Sequence, residues 1–372
     1  MQKLFKHAIL WGLALLATSS PRAADLPDPD GKPADMSKPV QVFLIMGQSN
    51  AVGLGVVKGD KPISLETAVK TEKLYPFLVD DAGNWTERKD VRNVQVMVGK
   101  GGGSMMRLHN EWMAVKGNTL GIEYGVGHQL GNAIDAPVML LKSCIGNRAL
   151  GWDLLPPGSQ RYLTEITDKS GAKTKKVVAG YKDKPDMWDA DPAKGLATEP
   201  PAKWLDKNGK PIDWYAGKQW DDDIANAKTV LSELAIHYPE ATKYEVAGFF
   251  WWQGERDAGS AAYAERYEQN LVLLIKTLRK EFNAPNAKFV MGTIGEVTKG
   301  ATDNGGKILN AMLAVDGTSG KYPEFKGNVA TVYTHDMARG GAGNGHYGKD
   351  SRVYMDVGLA LGEAMNGLLK NK

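Results

Sequence analysis

The segment 47–53 contains a serine that could serve as a nucleophile. Gly47 allows the chain to turn sharply after an apolar run, so that the backbone amides beyond the turn point outward and can bind an oxyanion. Ligands of open α/β sheets bind just past the carboxyl ends of the strands, where Ser49 would lie. A serine at this point can also serve as the N-cap of the next helix. The segment alone leaves both interpretations open.

A nucleophilic serine needs a base, and His346 is the best-placed candidate. It lies in a glycine-rich loop just before the last predicted helix, and catalytic residues are concentrated in such loops. His128 lies within a predicted helix and His237 at the end of one, and both are interpreted as structural. The roles of His109 and His335 stay open. The predicted pair is therefore Ser49 with His346.

A polar segment at 253–257 follows another apolar run. Gln253 would emerge at the carboxyl end of a strand, on the same rim as Ser49, and a carboxamide there is suited to donate to an oxyanion. Glu255 and Asp257 add carboxylates to that rim. These residue types together indicate acyl transfer at a serine.

Signatures of other chemistry are missing from the sequence. It contains no His-Glu-x-x-His and no paired Cys/His spacing, so no metal site is predicted. It contains no Gly-x-Ser-x-Gly, which argues against an α/β-hydrolase elbow. Cys144 is the only cysteine and is interpreted as a small core residue. No cofactor is predicted.

The first 24 residues are typical of a secretory signal peptide. Lys3 and Lys6 precede an apolar run at 8–17, and small residues follow it up to Ala24. We expect cleavage after Ala24 and a secreted or periplasmic mature protein. No later stretch is long and apolar enough for a membrane span.

The charge of the mature chain is expected to be balanced. The whole chain has 46 basic and 43 acidic residues, and the segment 1–24 holds three of the basic ones and none of the acidic ones. Such a balance gives no electrostatic case for binding nucleic acid or an anionic membrane. No protein partner is inferred either.

Short apolar runs alternate with helical patterns along the chain. Strands are predicted at 40–46, 94–98, 137–141, 246–251, 288–293 and 329–333, and helices at 123–134, 221–237, 261–282 and 352–369. This alternation predicts an α/β fold, a three-layer α/β/α sandwich around a mostly parallel sheet. A leader at 25–38 would precede a single domain at 39–372.

The stretch 156–219 breaks this alternation and is interpreted as an insertion. Its aromatic residues argue against disorder. Either these rings pack the insertion against the domain, or some of them line a sugar-binding cleft. The residues are Tyr181, Trp188, Trp204, Trp214 and Tyr215.

The motifs described above resemble those of the SGNH hydrolases. The Gly-Gln-Ser-Asn at 47–50 is similar to the first block of the sialate O-acetylesterase and acetylxylan-esterase branch, and the Trp-Gln-Gly-Glu-x-Asp at 252–257 to a later block. The segments 121–123 and 145–152 resemble the intermediate blocks, and His346 matches the base of the family. The resemblance runs from about residue 40 to 365, without the insertion, and implies the flavodoxin-like SGNH fold.

The resemblance also implies an activity and roles for residues. A serine esterase of this branch removes O-acetyl groups from carbohydrate through an acyl-enzyme. The amides of Ser49 and Gly146 and the side chain of Gln253 would form the oxyanion hole. The residues expected to contact the acetylated carbohydrate are Gln48, Asn50, Asn147, Trp152 and Trp252.

One departure from the family pattern concerns the third member of the triad. The family places an Asp three residues before the His, and Gly343 stands there in this chain. Asp336, Glu255 or Asp257 could supply the carboxylate instead. Alternatively, a backbone carbonyl orients the imidazole and the site works as a Ser-His dyad.

Three other functions stay open at this point. The same fold could act on another ester, as a lipase, thioesterase or peptidoglycan deacetylase. The missing Asp at position 343 favours a non-catalytic carbohydrate-binding protein. A glycosidase would need two carboxylates across a sugar, for which Glu255 and Asp257 are the candidates.

Overall fold

The computed structural model describes residues 26, 27, 29, 31–167, 170–339 and 345–370. The predicted signal peptide at 1–24 lies outside these residues, and so does position 343, where the family Asp is missing. Part of the predicted leader is described, and its Met36 and Leu26 pack against the domain.

Strands and helices alternate along most of the described chain. The strands are β1 Val40–Gly47, β2 Gly55–Val56, β3 Glu87–Gly99, β4 Gly102–Ala114, β5 Thr119–Leu120, β6 Val138–Ser143, β7 Tyr162–Thr167, β8 Lys173–Val178, β9 Met187–Asp189, β10 Tyr244–Trp252, β11 Lys288–Gly292 and β12 Val329–Val332. The α-helices are α1 Ser49–Val52, α2 Glu123–Ala133, α3 Lys218–Ser232, α4 Leu234–His237, α5 Glu255–Ala258, α6 Ala261–Glu281, α7 Asn304–Val315 and α8 Ser351–Lys370.

Within the described residues, seven strands form one sheet in the order β12-β11-β10-β1-β6-β3-β4. All neighbouring strands are parallel except β3 and β4, which form an antiparallel pair at one edge. After β1 the chain builds one side of the sheet, with β6 beside β1, and then returns to build the other side from β10 onward. The strand β1 therefore marks the switch point, where open α/β sheets bind their ligands.

The two faces of the sheet are covered by different helices. Val42 and Leu44 of β1 belong to a core formed with α3, α6 and α7. Phe43 and Ile45 point the other way, into a core formed with α2 and α8. Side chains of a strand alternate between faces, so a strand that is apolar at every position is buried on both sides.

These observations confirm the predicted three-layer α/β/α sandwich with a mostly parallel central sheet. The six predicted strands and four predicted helices all correspond to observed elements. Among these, β3 begins seven residues before the predicted start and pairs with the unpredicted β4, and the helix predicted at 221–237 is divided into α3 and α4. No described helix has the length and hydropathy of a membrane span.

The stretch 156–219 contains structure of its own. Its strands β7, β8 and β9 form a separate three-stranded antiparallel sheet. Trp188 and Trp214 are buried in a third apolar cluster, where they pack with Tyr162 and Tyr263. The rings therefore fasten this stretch to α6, as one of the two interpretations held, and none of the five predicted aromatic residues lines the cavity beside Ser49.

Candidate active site

The turn after β1 presents Ser49 at the switch point of the sheet. Gly47 has φ 144°, and a β-carbon at this position would lie 2.2 Å from the carbonyl oxygen of Trp252, so only glycine fits between the ends of β1 and β10. Ser49 is the first residue of α1, so its amide has no acceptor within that helix and is free to bind an oxyanion. The serine is not the N-cap, because Gln48 holds that position.

His346 lies opposite the serine. Its Nε2 is 2.9 Å from the Oγ of Ser49, which is hydrogen-bonding distance. His346 and Tyr347 both have positive φ, 56° and 54°, a backbone conformation that residues other than glycine rarely adopt. The Tyr347 ring stacks on Trp252 with 5.7 Å between ring centroids, and its Oη accepts a hydrogen bond from the Gly295 amide. These contacts hold the histidine in its strained position.

A cavity of about 610 Å³ opens over this pair. Gly146 lies beside the nucleophile, and a β-carbon there would come within 3.3 Å of the β-carbon of Ser49. The glycine therefore leaves room for an acyl group next to the serine. Asn147 follows with φ 60° and lines the same cavity as an exposed side chain.

The carboxylate of Glu255 is bound to the residues on both sides of the nucleophile. Gln48 donates from Nε2 to Glu255 Oε2 at 2.8 Å, and Asn50 donates from Nδ2 to Glu255 Oε1 at 2.6 Å. Both amides are almost fully buried. These two N–H groups hold Glu255, and both residues also line the cavity, so their predicted contact with substrate stays a prediction.

Burial raises the pKa of Glu255 to about 7, with smaller contributions from the carboxylates of Glu296 and Asp257, while the hydrogen bond from Asn50 lowers it. The folded protein therefore holds this proton more tightly than an unfolded chain does. Between the ordinary value of 4.5 and about 7, the folded state binds more protons than the unfolded state, so this group lowers stability as pH rises through that range.

Replacing Glu255 with Gln removes this titration. Wild type should lose stability as the pH rises from 4.5 to 8, and Glu255→Gln should not lose this contribution. We therefore expect the free energy of unfolding of the variant, minus that of wild type, to be about 1 to 3 kcal/mol larger at pH 8 than at pH 4.5. Urea denaturation at the two pH values measures the difference. Glu265→Gln, an exposed residue of α6, is the matched control. A difference between Glu255→Gln and wild type that is the same at both pH values would contradict the assignment.

The predicted role of Gln253 in the oxyanion hole is wrong in this structure. Its Nε2 donates to the carbonyl of Arg148 at 2.9 Å and to Oδ2 of Asp257 at 2.5 Å, and its Oε1 accepts from Tyr267 at 2.9 Å. The side chain is fully buried and does not line the cavity. Both amide hydrogens are used inside the protein, so neither is directed at the place where an oxyanion would form.

Asp257 is also committed elsewhere. Its carboxylate accepts hydrogen bonds from the amides of Leu150 at 2.9 Å and Gly151 at 2.7 Å, in addition to Gln253. Burial raises its pKa to about 6. The residue fixes the glycine-rich turn that carries Gly146, and it is neither a partner of the histidine nor one of two carboxylates across a sugar.

The structure does not place Asp336 as the third member of the triad. Asp336 is exposed in the short helical turn His335–Met337. Among the described residues, no carboxylate forms a hydrogen bond with His346, and the bonds of Glu255 go to Gln48 and Asn50. The described part of the site is thus a Ser-His pair flanked by the carboxylate of Glu255.

Two predicted substrate contacts are corrected. Trp252 is 1% exposed and donates from its indole N–H to the carbonyl of Thr293. Its ring packs against Tyr347, the residue after His346. Trp152 packs edge-on against Trp204 in the third apolar cluster, away from the cavity. Both aromatic rings pack inside apolar clusters of the protein.

Three charged residues of the cavity wall were not predicted. Lys100 lies at the turn between β3 and β4, Arg256 follows Glu255, and Glu296 follows β11. Burial raises the pKa of Glu296. The position of Glu296 just past the end of a parallel strand is a signal that could have identified it.

The described His, Cys, Asp and Glu residues include no group of three or more that could hold a metal ion. What the cavity offers is a hydroxyl hydrogen-bonded to an imidazole, an amide at Ser49 with no acceptor among the described residues, and a glycine beside it. This arrangement, at the carboxyl edge of an α/β sheet, is the one that serine hydrolases use for acyl transfer.

Comparison with known families gives a narrower result. Residues 207–366 match the family model of the carbohydrate esterases described as sialic acid-specific acetylesterases. The match confirms the resemblance predicted from the sequence, and this part of the chain is similar to the carbohydrate esterases. It contains Gln253, Glu255 and His346, while Ser49 and Gly146 lie outside the matched residues.

Several solved structures also align with the chain. A protein from Arabidopsis thaliana is 16% identical over 90% of this chain and 99% of its own, with a TM-score of 0.46. A carbohydrate acetylesterase from Xanthomonas citri is 14% identical over 89% of this chain and 57% of its own, with a TM-score of 0.46. NanS is 13% identical over 92% of this chain and 100% of its own, with a TM-score of 0.44. No curated protein matches the chain.

Proposed function

We propose that this protein is a serine esterase that removes O-acetyl groups from carbohydrate. The hydrogen bond between Ser49 Oγ and His346 Nε2 at the cavity is the observation that carries the proposal. The match of residues 207–366 to a carbohydrate esterase family supports the substrate class.

The proposed mechanism has two steps. His346 Nε2 accepts the proton of Ser49 as Oγ attacks the acetyl carbonyl, and the sugar hydroxyl then leaves with that proton. A water molecule, deprotonated by the same nitrogen, attacks the acyl-enzyme, and acetate leaves while Ser49 regains its proton. The amides of Ser49 and Gly146 are the proposed donors to the oxyanion.

The charged residues at the cavity favour a sugar that carries a carboxylate. Lys100 and Arg256 line the cavity, and neither side chain forms an ion pair within the described chain. The cavity also contains two partly buried acidic residues, Glu296 and Glu255, whose pKa values are both raised by burial. The family description names sialic acid, an acidic sugar, and this agrees with the two cations at the cavity, for which the described residues supply no ion-pair partner. We therefore favour an acetylated acidic sugar over acetylated xylan.

Acetate release from O-acetylated sialic acid and from acetylated xylan tests this preference. For Lys100→Gln and Arg256→Gln, we expect KM for the sialic acid ester to rise about tenfold, because a charge-assisted hydrogen bond is lost. The kinetic constants for neutral p-nitrophenyl acetate should change less than about twofold. Lys89→Gln, exposed on β3, is the control. Equal losses on charged and neutral esters would argue against a carboxylate subsite.

The alternative of a non-catalytic carbohydrate-binding protein is less well supported. A binding protein has no need for a serine hydroxyl aligned on an imidazole, or for a strained histidine loop stabilised by stacking. Hydrolysis of p-nitrophenyl acetate by the purified mature protein separates the two functions. No turnover of this ester and of both acetylated sugars would favour the binding protein.

We also propose that the protein is exported. The proposal depends on the basic, apolar and small-residue regions of the segment 1–24. N-terminal sequencing of the protein recovered outside the cytoplasm should begin at about Asp25. A chain that keeps its first residues and stays in the cytoplasm would contradict it.

A further inference from the structure

A lysine is buried beneath the nucleophile turn, and the proposed mechanism does not use it. Lys142 lies on β6, beside Ile45 of β1, with 1% of its side chain exposed. The residues before it on the strand are apolar, and lysine is almost never fully buried without a partner. Its ammonium lies 2.9 Å from Oε2 of Glu123, whose side chain is 5% exposed.

The ammonium also contacts the helix that carries Ser49. Lys142 Nζ donates to the carbonyl of Val52, the last residue of α1, at 2.7 Å. A cation at this end of a helix is favourable, since the last carbonyls have no partner within the helix. Glu123 in turn accepts from the amide of Gly121 at 3.1 Å.

The helix α1 needs such external support. It has four residues, and helices this short are not stable by themselves. Its amino end is held by Glu255 through Gln48 and Asn50. At its other end, Gly53 packs so closely on Gly121 that a β-carbon at Gly53 would lie 2.7 Å from the Gly121 amide.

An ordinary packing role does not account for a charge at position 142. A buried ion pair can often be replaced by apolar residues without loss of stability, so burial alone gives no reason for an ammonium. The carbonyl of Val52 gives one, because an apolar side chain cannot donate to it.

We propose that Lys142, neutralised by Glu123, is a positioning residue that fixes the carboxyl end of α1 and thereby the Oγ of Ser49 relative to His346. The inference rests on the proposed function, in which Ser49 is the nucleophile. Misplacement of a reacting atom by about 1 Å can reduce a rate about 100-fold.

The test uses the double variant Lys142→Met/Glu123→Gln in the full mature protein. Methionine has a similar shape without a donor, and glutamine keeps the acceptor for Gly121. The single variant Lys142→Met leaves Glu123 charged and unpaired, so we expect its melting temperature to fall, and the double variant should recover much of that loss.

Activity should not recover with stability. For p-nitrophenyl acetate we expect kcat of the double variant to stay about 10- to 100-fold below wild type, with KM changed less than about twofold. The matched control is Arg88→Met/Asp90→Asn, an ion pair at 2.5 Å between a buried arginine and a partly buried aspartate, whose arginine contacts Asn132 near the far end of α2. Its kcat should stay near that of wild type. Recovery of kcat together with the melting temperature would overturn the proposal.

Hydrogen exchange of the peptide covering 47–53 gives a second readout that does not depend on turnover. The double variant should exchange the amides of this peptide faster than wild type, while the control pair should not. If wild type hydrolyses no ester, the proposed function fails and this measurement still decides the positioning role. Unchanged exchange at 47–53 in the double variant would refute it.

Discussion

Ser49→Ala should lower kcat for acetyl-ester hydrolysis by about 10⁴-fold or more, because the variant lacks the oxygen that forms the acyl-enzyme. Ser49 Oγ is the hydroxyl that contacts His346 and opens onto the cavity. Acetate release and p-nitrophenyl acetate turnover both measure the loss. Alanine fits the space of serine, so the melting temperature should change little.

The control for this variant is Ser232→Ala. Ser232 is exposed at the end of α3, and its hydroxyl donates to the carbonyl of Thr229. Its activity should equal that of wild type. An active Ser49→Ala protein, with the control also active, would mean that another group attacks the ester.

His346→Ala is expected to cause the second large loss, about 10³-fold or more in kcat, since no other imidazole is hydrogen-bonded to Ser49 among the described residues. The nucleophile and its base act as a unit. The double variant Ser49→Ala/His346→Ala should therefore be no slower than Ser49→Ala alone. Steady-state kinetics of the three variants gives the comparison.

Two variants serve as controls for the histidine. His109→Gln, on β4 with Glu111 as its partner, should keep wild-type activity. Asp336→Asn should also change kcat less than about twofold, because Asp336 is exposed and not hydrogen-bonded to His346 in the described structure. A large loss in Asp336→Asn would restore it as the third member of the triad. Losses in Ser49→Ala and His346→Ala that multiply in the double variant would show that the two residues act independently.

The sequence was sufficient to predict the buried strands of the central sheet. The strands buried on both faces are apolar at nearly every position, so β1, β6 and β10 were predicted within a few residues of their observed ends. The edge strand β4 was missed because most of its side chains are exposed and show no apolar run. The helix α7 was missed because its first turn contains Gly305 and Gly306, which are poor helix formers.

The site was predictable at the level of residue type and strand end. Ser49, Gly146 and His346 were chosen because they follow strands or precede the last helix, and the structure brings them to one cavity. The chemistry of a side chain at a strand end does not tell whether it faces the cavity or the core. Gln253 and Trp252 are buried, with their polar groups bonded to the protein.

Contacts between distant segments were beyond the reach of sequence patterns. Lys142 lies just beyond the strand predicted at 137–141, and nothing in its neighbourhood along the chain indicated Glu123 or the carbonyl of Val52 as partners. The same holds for the bonds of Glu255 with Gln48 and Asn50, about two hundred residues away along the chain.

The most direct test of the central claim is to trap the acyl-enzyme. Wild-type protein is mixed with p-nitrophenyl acetate, quenched in acid and digested, and its peptides are examined by mass spectrometry. We expect one added acetyl group, located on Ser49 and lost when the protein is left to turn over before quenching. An acetyl group on another residue, or turnover with no acylated peptide at any quench time, would contradict a serine-esterase mechanism at Ser49.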